Sequence, residues 1–145
     1  MFSDLAESFK DTLSSFGLET FLTDTFEVPF HSIECDVIIL LGIVGSLKGV
    51  LTFEYDDNAT HSIIRTMMPG AENEPLGEMS LSALSEIGNI CGGMFLSRCK
   101  REGTDITPPT IVTGKNIKAM INNNKTYRFY LSLASGTIVV SLSFS

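Results

Sequence analysis

The sequence predicts one α+β domain over residues 1–145, with about three helices packed on one face of a mostly antiparallel sheet of about six strands. Three segments repeat apolar residues at the spacing of an amphipathic helix, and most other segments alternate apolar and polar residues as half-buried strands do. The strand segments follow one another as hairpins, with helices between them, which favours antiparallel pairing. A chain of 145 residues, 43% of them hydrophobic, can bury a sizeable core.

Turn and capping residues mark the elements in the first half of the chain. Gly17 follows the first amphipathic segment and is placed to end its helix, and Asp57 is placed to cap a second helix that Pro69 and Gly70 end. Gly45 and Ser46 form a hairpin turn. The predicted elements are a helix over 2–16, a strand over 21–30, hairpin strands over 35–44 and 48–55, a helix over 57–68 and a polar loop over 71–79.

The second half begins with the longest amphipathic segment. It predicts a helix from Leu81 to Arg98, with Ser80 or Ser82 near its start and Gly103 as its stop. The strands predicted beyond it cover 110–113, 116–121, 127–133 and 138–144, with turns at 122–125 and 134–136.

Composition and charge narrow the classes of partner and compartment. The formal charge of −7 opposes binding to nucleic acid and to anionic lipid, so a protein or small-molecule partner is favoured. No basic, apolar export signal begins the chain, and the apolar run over 37–44 is far shorter than the ~20 residues of a membrane helix. We therefore expect a soluble, cytoplasmic protein.

The cysteines and histidines do not predict a metal site. Cys35, Cys91 and Cys99 have no CxxC spacing, and we expect them to be reduced thiols that pack as small residues. His31 and His61 are isolated in the sequence, so we expect the chain to bind no metal.

The long helix carries the most informative polar residues. At about 100° per residue, Ser82, Glu86, Asn89 and Gly93 lie within roughly 60° of one another on a helical wheel. Glu and Asn on an exposed helical face are often merely solvated. However, Asn is a poor helix former, and the adjacent Gly92 and Gly93 cost a helix about 1 kcal/mol each, which indicates a compensating use. The apolar residues on the opposite arc are Leu84, Ile87, Gly88, Cys91, Met94 and Phe95.

Other catalytic motifs fit poorly. Cys91 and Arg98 lack the Cys-x5-Arg spacing of a cysteine phosphatase and lie within a helix. Gly114 and Lys115 lack the remaining residues of a P-loop. No nucleophile elbow accompanies either histidine.

The segment SALSEIGNICGG resembles the active-site helix of the CheC/CheX/FliY family of bacterial chemotaxis phosphatases. Ser82, Glu86 and Asn89 fill the Asp/Ser-x3-Glu-x2-Asn positions of that family, and Pro108 and Pro109 lie near the spacing of its later proline. The sequence DVIILLGIVGSLKGVLTFEYDDNA resembles the glycine-punctuated hairpin of the CheX branch. A single Glu-x2-Asn helix also favours that branch, because CheC-like members tend to have two.

This resemblance implies a phosphatase that acts on the aspartyl phosphate of a CheY-like response regulator. Asn89 would orient the hydrolytic water, and Glu86 would dock on the regulator's active-site lysine. Ser82, Ser85 and Gly93 would border the contact, and the regulator would supply Mg²⁺, so this chain would need no cofactor of its own. The resemblance also implies a homodimer that pairs through its sheets.

The sequence is also compatible with two other functions. One is a non-catalytic adaptor of the flagellar-switch type that binds a response regulator with the same fold. The other is a ligand-sensing module of a larger signalling system. Met94 and Phe95 depart from the small residue that often follows the family's glycine, and we expect this change to repack the core.

Overall fold

The computed structural model of the protein describes residues 2–70 and 77–145. Three helices and seven strands lie within these ranges and confirm the α+β class. In chain order they are α1 (Phe2–Ser15), β1 (Phe21–Val28), β2 (His31–Gly45), β3 (Gly49–Tyr55), α2 (Asp57–Met67), α3 (Glu78–Cys99), β4 (Thr104–Ile106), β5 (Thr110–Asn122), β6 (Thr126–Ser132) and β7 (Thr137–Phe144).

The strands form one sheet in the order β1-β6-β7-β3-β2-β4, and β5 also pairs with β2. Every pairing among the described strands is antiparallel. The 15-residue strand β2 is long enough to pair with β3 along one edge and with both β4 and β5 along the other. As a result, β4 and β5 form an interrupted edge beside β2.

One hydrophobic core joins the three helices to one face of this sheet. Its residues come from α1, α2 and α3 and from the inward positions of β2, β3, β6 and β7. Phe9 of α1 stacks on Phe53 of β3, with 5.3 Å between the ring centroids. Burial of this apolar surface is the main force that holds the helices on the sheet. No helix within the described ranges is long and apolar enough to cross a membrane.

The seven strands are one more than the predicted count of about six. The three-residue strand β4 is too short to show a period of two, so the sequence did not indicate it. The two short strands predicted over 110–113 and 116–121 are one strand, β5. Asn116 interrupts the regular backbone of β5 with a φ of +50°, and it donates its backbone N–H to Asp36 Oδ1 at 2.7 Å. The polar residues between the two predicted strands therefore belong to an irregular part of one strand.

Several predicted boundaries were also wrong by a few residues. Asp56 caps α2 in place of Asp57, because its Oδ1 accepts the N–H of Ala59 at 2.7 Å while its Oδ2 accepts the N–H of Thr137 at 2.9 Å. The helix α3 begins at Glu78 after the cap residue Gly77, within the loop predicted over 71–79; residues 71–76 lie outside the described ranges. It ends at Cys99, because the next residue, Lys100, adopts the left-handed conformation with a φ of +54° and caps the helix in place of the predicted Gly103.

The sheet face opposite the helices contains buried polar groups. His31 has no exposed surface, and its two ring nitrogens lie 2.7 Å from Ser143 Oγ and 2.8 Å from Thr52 Oγ1. The Arg128 guanidinium donates to Ser141 Oγ at 3.1 Å and also to the carbonyl oxygen of Ser32. These contacts tie the first residues of β2 across the face of β3, β7 and β6.

Candidate functional site

The helix α3 lies close to the sheet because its inner face carries two glycines. A methyl group at Gly88 would lie 3.2 Å from Ile39 Cγ2, and one at Gly92 would lie 3.2 Å from Ile106 Cδ1. Both distances are tighter than ordinary van der Waals contact, so the absence of a side chain allows the close approach. The helix cost of Gly92 therefore has a packing explanation.

The outer face of α3 carries the predicted site residues. Ser82, Glu86 and Gly93 are exposed, and Asn89 is half-buried. Residues three or four apart on a helix have Cβ atoms about 5–6 Å from each other, so the carboxylate of Glu86 and the carboxamide of Asn89 are neighbours. Within residues 2–70 and 77–145, neither side chain forms a hydrogen bond or an ion pair. Both groups are therefore available to a partner.

The other residues predicted to border the contact, Ser85 and Gly93, differ in how they could contact a partner. The Ser85 hydroxyl donates to the backbone oxygen of Leu81 at 2.9 Å, so its proton is used within the helix. A methyl group at Gly93 would meet no atom within 4 Å, so no packing within the described chain explains this glycine. Met94 was predicted on the buried arc, but it is only half-buried because it lies at the border of that arc.

Two different elements flank α3 and hold it in place. Arg98 near its end forms an ion pair with Asp11 of α1, with Nη2 and Oδ2 at 2.6 Å, and lies 3.3 Å from Ser8 Oγ. On the other flank, Ile106 of β4 contacts the turn that contains Gly92. Between these flanks, Ser82, Glu86 and Gly93 of the outer face are not covered by any other part of the chain that the structure describes.

The helix α3 contains two cysteines: Cys99 at its end is half-buried, and Cys91 lies on the inner face. Cys91 has no exposed surface, and its burial raises the pKa of its thiol far above the ordinary value. A thiol in this environment stays protonated and is a poor nucleophile. The chemistry available at the outer face is therefore that of a carboxylate and a carboxamide, which can position a partner and a water.

Known proteins are similar to this chain in sequence and in fold. A family model described as the chemotaxis phosphatase CheX matches residues 37–131. The chain belongs to the CheX family. The CheY-P phosphatase CheX of Thermotoga maritima is 31% identical to it over 114 residues, which are 77% of this chain and 72% of that protein.

Solved structures of CheX proteins have the same fold. The chemotaxis protein CheX from Desulfovibrio desulfuricans superposes with a TM-score of 0.88 at 13% identity, over 99% of this chain and 97% of that one. CheX in the CheX-CheY-BeF3-Mg²⁺ complex from Borrelia burgdorferi superposes with a TM-score of 0.73 at 24% identity, over 97% of each chain. The resemblance inferred from SALSEIGNICGG is thus confirmed at the level of the family.

In this CheX-family chain, the outer face of α3 is a surface rather than a cleft. A cleft of about 660 Å³ lies elsewhere, where Glu54 and Arg128 help to line it on the opposite face of the sheet. No group of three His, Cys, Asp or Glu residues in the described part of the chain is placed to hold a metal ion. An exposed helical face suits a large partner better than a small molecule.

The sequence did not indicate every residue that shapes this site. The role of Ile106 depends on β4, which was not predicted. The spacing of Gly88 and Gly92, one turn apart on the buried arc, is the signal that could have indicated a close contact between helix and sheet.

Proposed function

We propose that this chain hydrolyses the aspartyl phosphate of a CheY-like response regulator by inserting the outer face of α3 into the regulator's active site. The observation that carries the proposal is the exposed Glu86 beside Asn89 on the helix of a CheX-family chain, with no partner for the Glu86 carboxylate among the described residues. A non-catalytic adaptor would have less need of both groups.

Asn89 is the residue that we assign to the chemical step. Its carboxamide can accept a hydrogen bond from a water and donate one, so it can hold that water in line with the phosphorus. The water oxygen then bonds to phosphorus, the bond between phosphorus and the regulator's aspartate oxygen breaks, and inorganic phosphate leaves with the protons of the water while the aspartate becomes a free carboxylate. Orientation of this kind accelerates a reaction without a covalent intermediate on this chain.

Glu86 is the residue that we assign to docking. Its carboxylate can pair with a lysine in the regulator's active site, which sets the register of the two proteins. Mg²⁺ would be bound by the regulator, where it neutralises charge on the phosphoryl group. Ser82 and Ser85 would border the contact, and Gly93 would allow the regulator to approach the helix backbone closely.

The proposal is tested by the decay of a CheY-like regulator from the same genome, phosphorylated with acetyl phosphate. Wild-type chain should accelerate the loss of phosphate beyond the regulator's own rate. Glu86→Gln should raise KM about tenfold or more, because it removes a charge that pairs across the interface, and should leave kcat near the wild-type value. The matched control is Glu7→Gln, the same change at an exposed position of α1. No acceleration by the wild type would favour the adaptor.

The chain is also proposed to act in the cytoplasm and to form a homodimer. Its three cysteines are free, which suits a reducing compartment. The 13-residue strand β5 pairs with β2 along one edge and exposes the side chains of Val112 and Met120. A long, exposed edge strand is a template for pairing with another chain, so we assign the dimer contact to β5.

Analytical ultracentrifugation tests the dimer. The wild type should sediment at twice the 15.8 kDa of one chain. Met120→Lys on β5 should shift the equilibrium to monomer, because it places a charge in the interface. Phe26→Lys on the edge strand β1 should not. A monomeric wild type would contradict the proposal, and dissociation by Phe26→Lys alone would place the contact at β1.

A further inference from the structure

A regulator docked on α3 needs more surface than the helix itself offers. The stripe from Ser82 to Gly93 is only about 16 Å long at 1.5 Å per residue. A specific interface buries about 800 Å² on each partner. A second element beside α3 must therefore supply part of the contact.

The position of Asn89 on the helical wheel indicates which flank of α3 lies nearest to it. Asn89 is turned about 60° from Gly92, whereas Glu86 is turned about 120° from it. Because the Gly92 turn contacts Ile106, Asn89 faces the border between solvent and the β4 flank. Asn89 is half-buried whereas Glu86 is exposed, which agrees with that position.

The register of β2 identifies what lies on this flank. Ile43 pairs with Ile106 and Leu40 pairs with Thr110, so residues 107–109 run beside β2 between those two pairs. Gly88 lies over Ile39 and Leu41, and Gly92 lies over Leu41 and Ile106. Residues 107–109, which we call the diprolyl segment, therefore run alongside α3 at the level of Asn89.

Hydrogen bonds hold the diprolyl segment in one position. Pro108 and Pro109 have no N–H to donate to a strand ladder. Thr107 compensates: its N–H donates to the carbonyl oxygen of Gly42 at 2.9 Å, and its hydroxyl accepts the N–H of Gly42 at 2.8 Å. A methyl group at Gly42 would lie 3.0 Å from Thr107 Cγ2, so the contact depends on that glycine.

The strand β4 is held at its other end as well. The backbone N–H of Ser46 donates to the oxygen of Gly103 at 3.0 Å, and the hydroxyls of Ser46 and Thr104 lie 2.7 Å apart. The segment that leaves α3 is thus attached to the β2–β3 hairpin on both sides of β4. Pro108 is exposed on this fixed support.

We propose that the diprolyl segment is a second wall of the docking surface, with Pro108 in apolar contact with the response regulator and Thr107 as the positioning residue that fixes its distance from Asn89. The proposal rests on the proposed docking of the regulator on α3. The rigid proline loses little conformational entropy when it is covered, which favours affinity.

The first test compares two exposed prolines. Pro108→Lys should weaken binding of a beryllofluoride-loaded CheY-like regulator about tenfold and raise KM by the same factor, with kcat within about twofold of wild type. Pro29→Lys makes the same charge change in the turn between β1 and β2 and should leave both constants unchanged. Equal effects of the two variants would overturn the contact assigned to Pro108.

The second test concerns Thr107. Thr107→Val removes the hydroxyl that accepts the N–H of Gly42 and should raise KM several-fold, whereas Thr107→Ser keeps the hydroxyl and should stay within about twofold of wild type. Equal KM values for Val and Ser would overturn the positioning role. The binding titration needs no catalysis. A wild type that binds the regulator without accelerating phosphate loss would therefore refute the proposed activity. In that case the comparison of Pro108→Lys with Pro29→Lys would still test whether the diprolyl segment contacts the regulator.

Discussion

Replacing Asn89 with alanine is expected to reduce kcat for hydrolysis of the regulator's aspartyl phosphate by about a hundredfold or more. The variant loses the carboxamide that orients the attacking water, but it keeps Glu86 and the exposed helical face. Binding of the beryllofluoride-loaded regulator should therefore stay within a few-fold of wild type. Alanine is a better helix former than asparagine, so the thermal unfolding midpoint should not fall.

The matched control is Asn58→Ala, which makes the same change at an exposed position of another helix, α2. It should leave kcat at the wild-type value. Rapid-quench or fluorescence measurements of phosphate loss at saturating regulator separate kcat from KM. Full activity of Asn89→Ala would refute the role assigned to this carboxamide. A change in KM alone would show that Asn89 contributes to docking and not to the chemical step.

Acid is expected to destabilise the protein through His31. Burial, with a smaller contribution from the charge of Arg128, lowers the pKa of this imidazole from 6.5 to about 4. Between these values the unfolded chain binds a proton that the folded chain does not. Stability from this group is therefore fully present above pH 6.5 and is lost as the pH falls towards 4. The loss amounts to about 3 kcal/mol.

Urea unfolding between pH 7 and pH 4 measures this effect. His31→Gln keeps polar atoms at the site and removes the titration, so its free energy of unfolding should fall less steeply with acid than that of wild type. His61→Gln makes the same substitution at the half-exposed histidine of α2 and is the matched control. Burial raises the pKa of Glu54, which opposes the loss, but both variants retain this group. Identical slopes for wild type and His31→Gln would contradict the prediction.

The periodic segments were predictable because the local sequence alone indicates which of their residues are buried. The helix α3 and the strands β6 and β7 repeat apolar residues at the period of their own structure, and their predicted positions agree with the structure to within a few residues. Short or irregular elements were not predictable in this way. The strand β4 exists because β2 offers it an edge, and β5 continues through Asn116 because Asp36 accepts its N–H.

The candidate site divides in the same manner. The identity of Glu86 and Asn89, their shared face and their resemblance to the CheX family follow from residues three apart on one helix. Their roles remain predictions that the kinetic variants test. What lies beside them depends on contacts between residues distant in the chain, such as Thr107 with Gly42.

The sequence of this protein by itself determined the α+β class, the helix that presents Glu86 and Asn89, and the family, because helical periodicity and short motifs are local properties. Only the tertiary structure decided which elements flank that helix, why Gly88 and Gly92 face the sheet while Gly93 faces open space, and that His31 is buried. Those features arise from the register of β2 with its neighbours, and strand register depends on contacts among segments far apart in sequence.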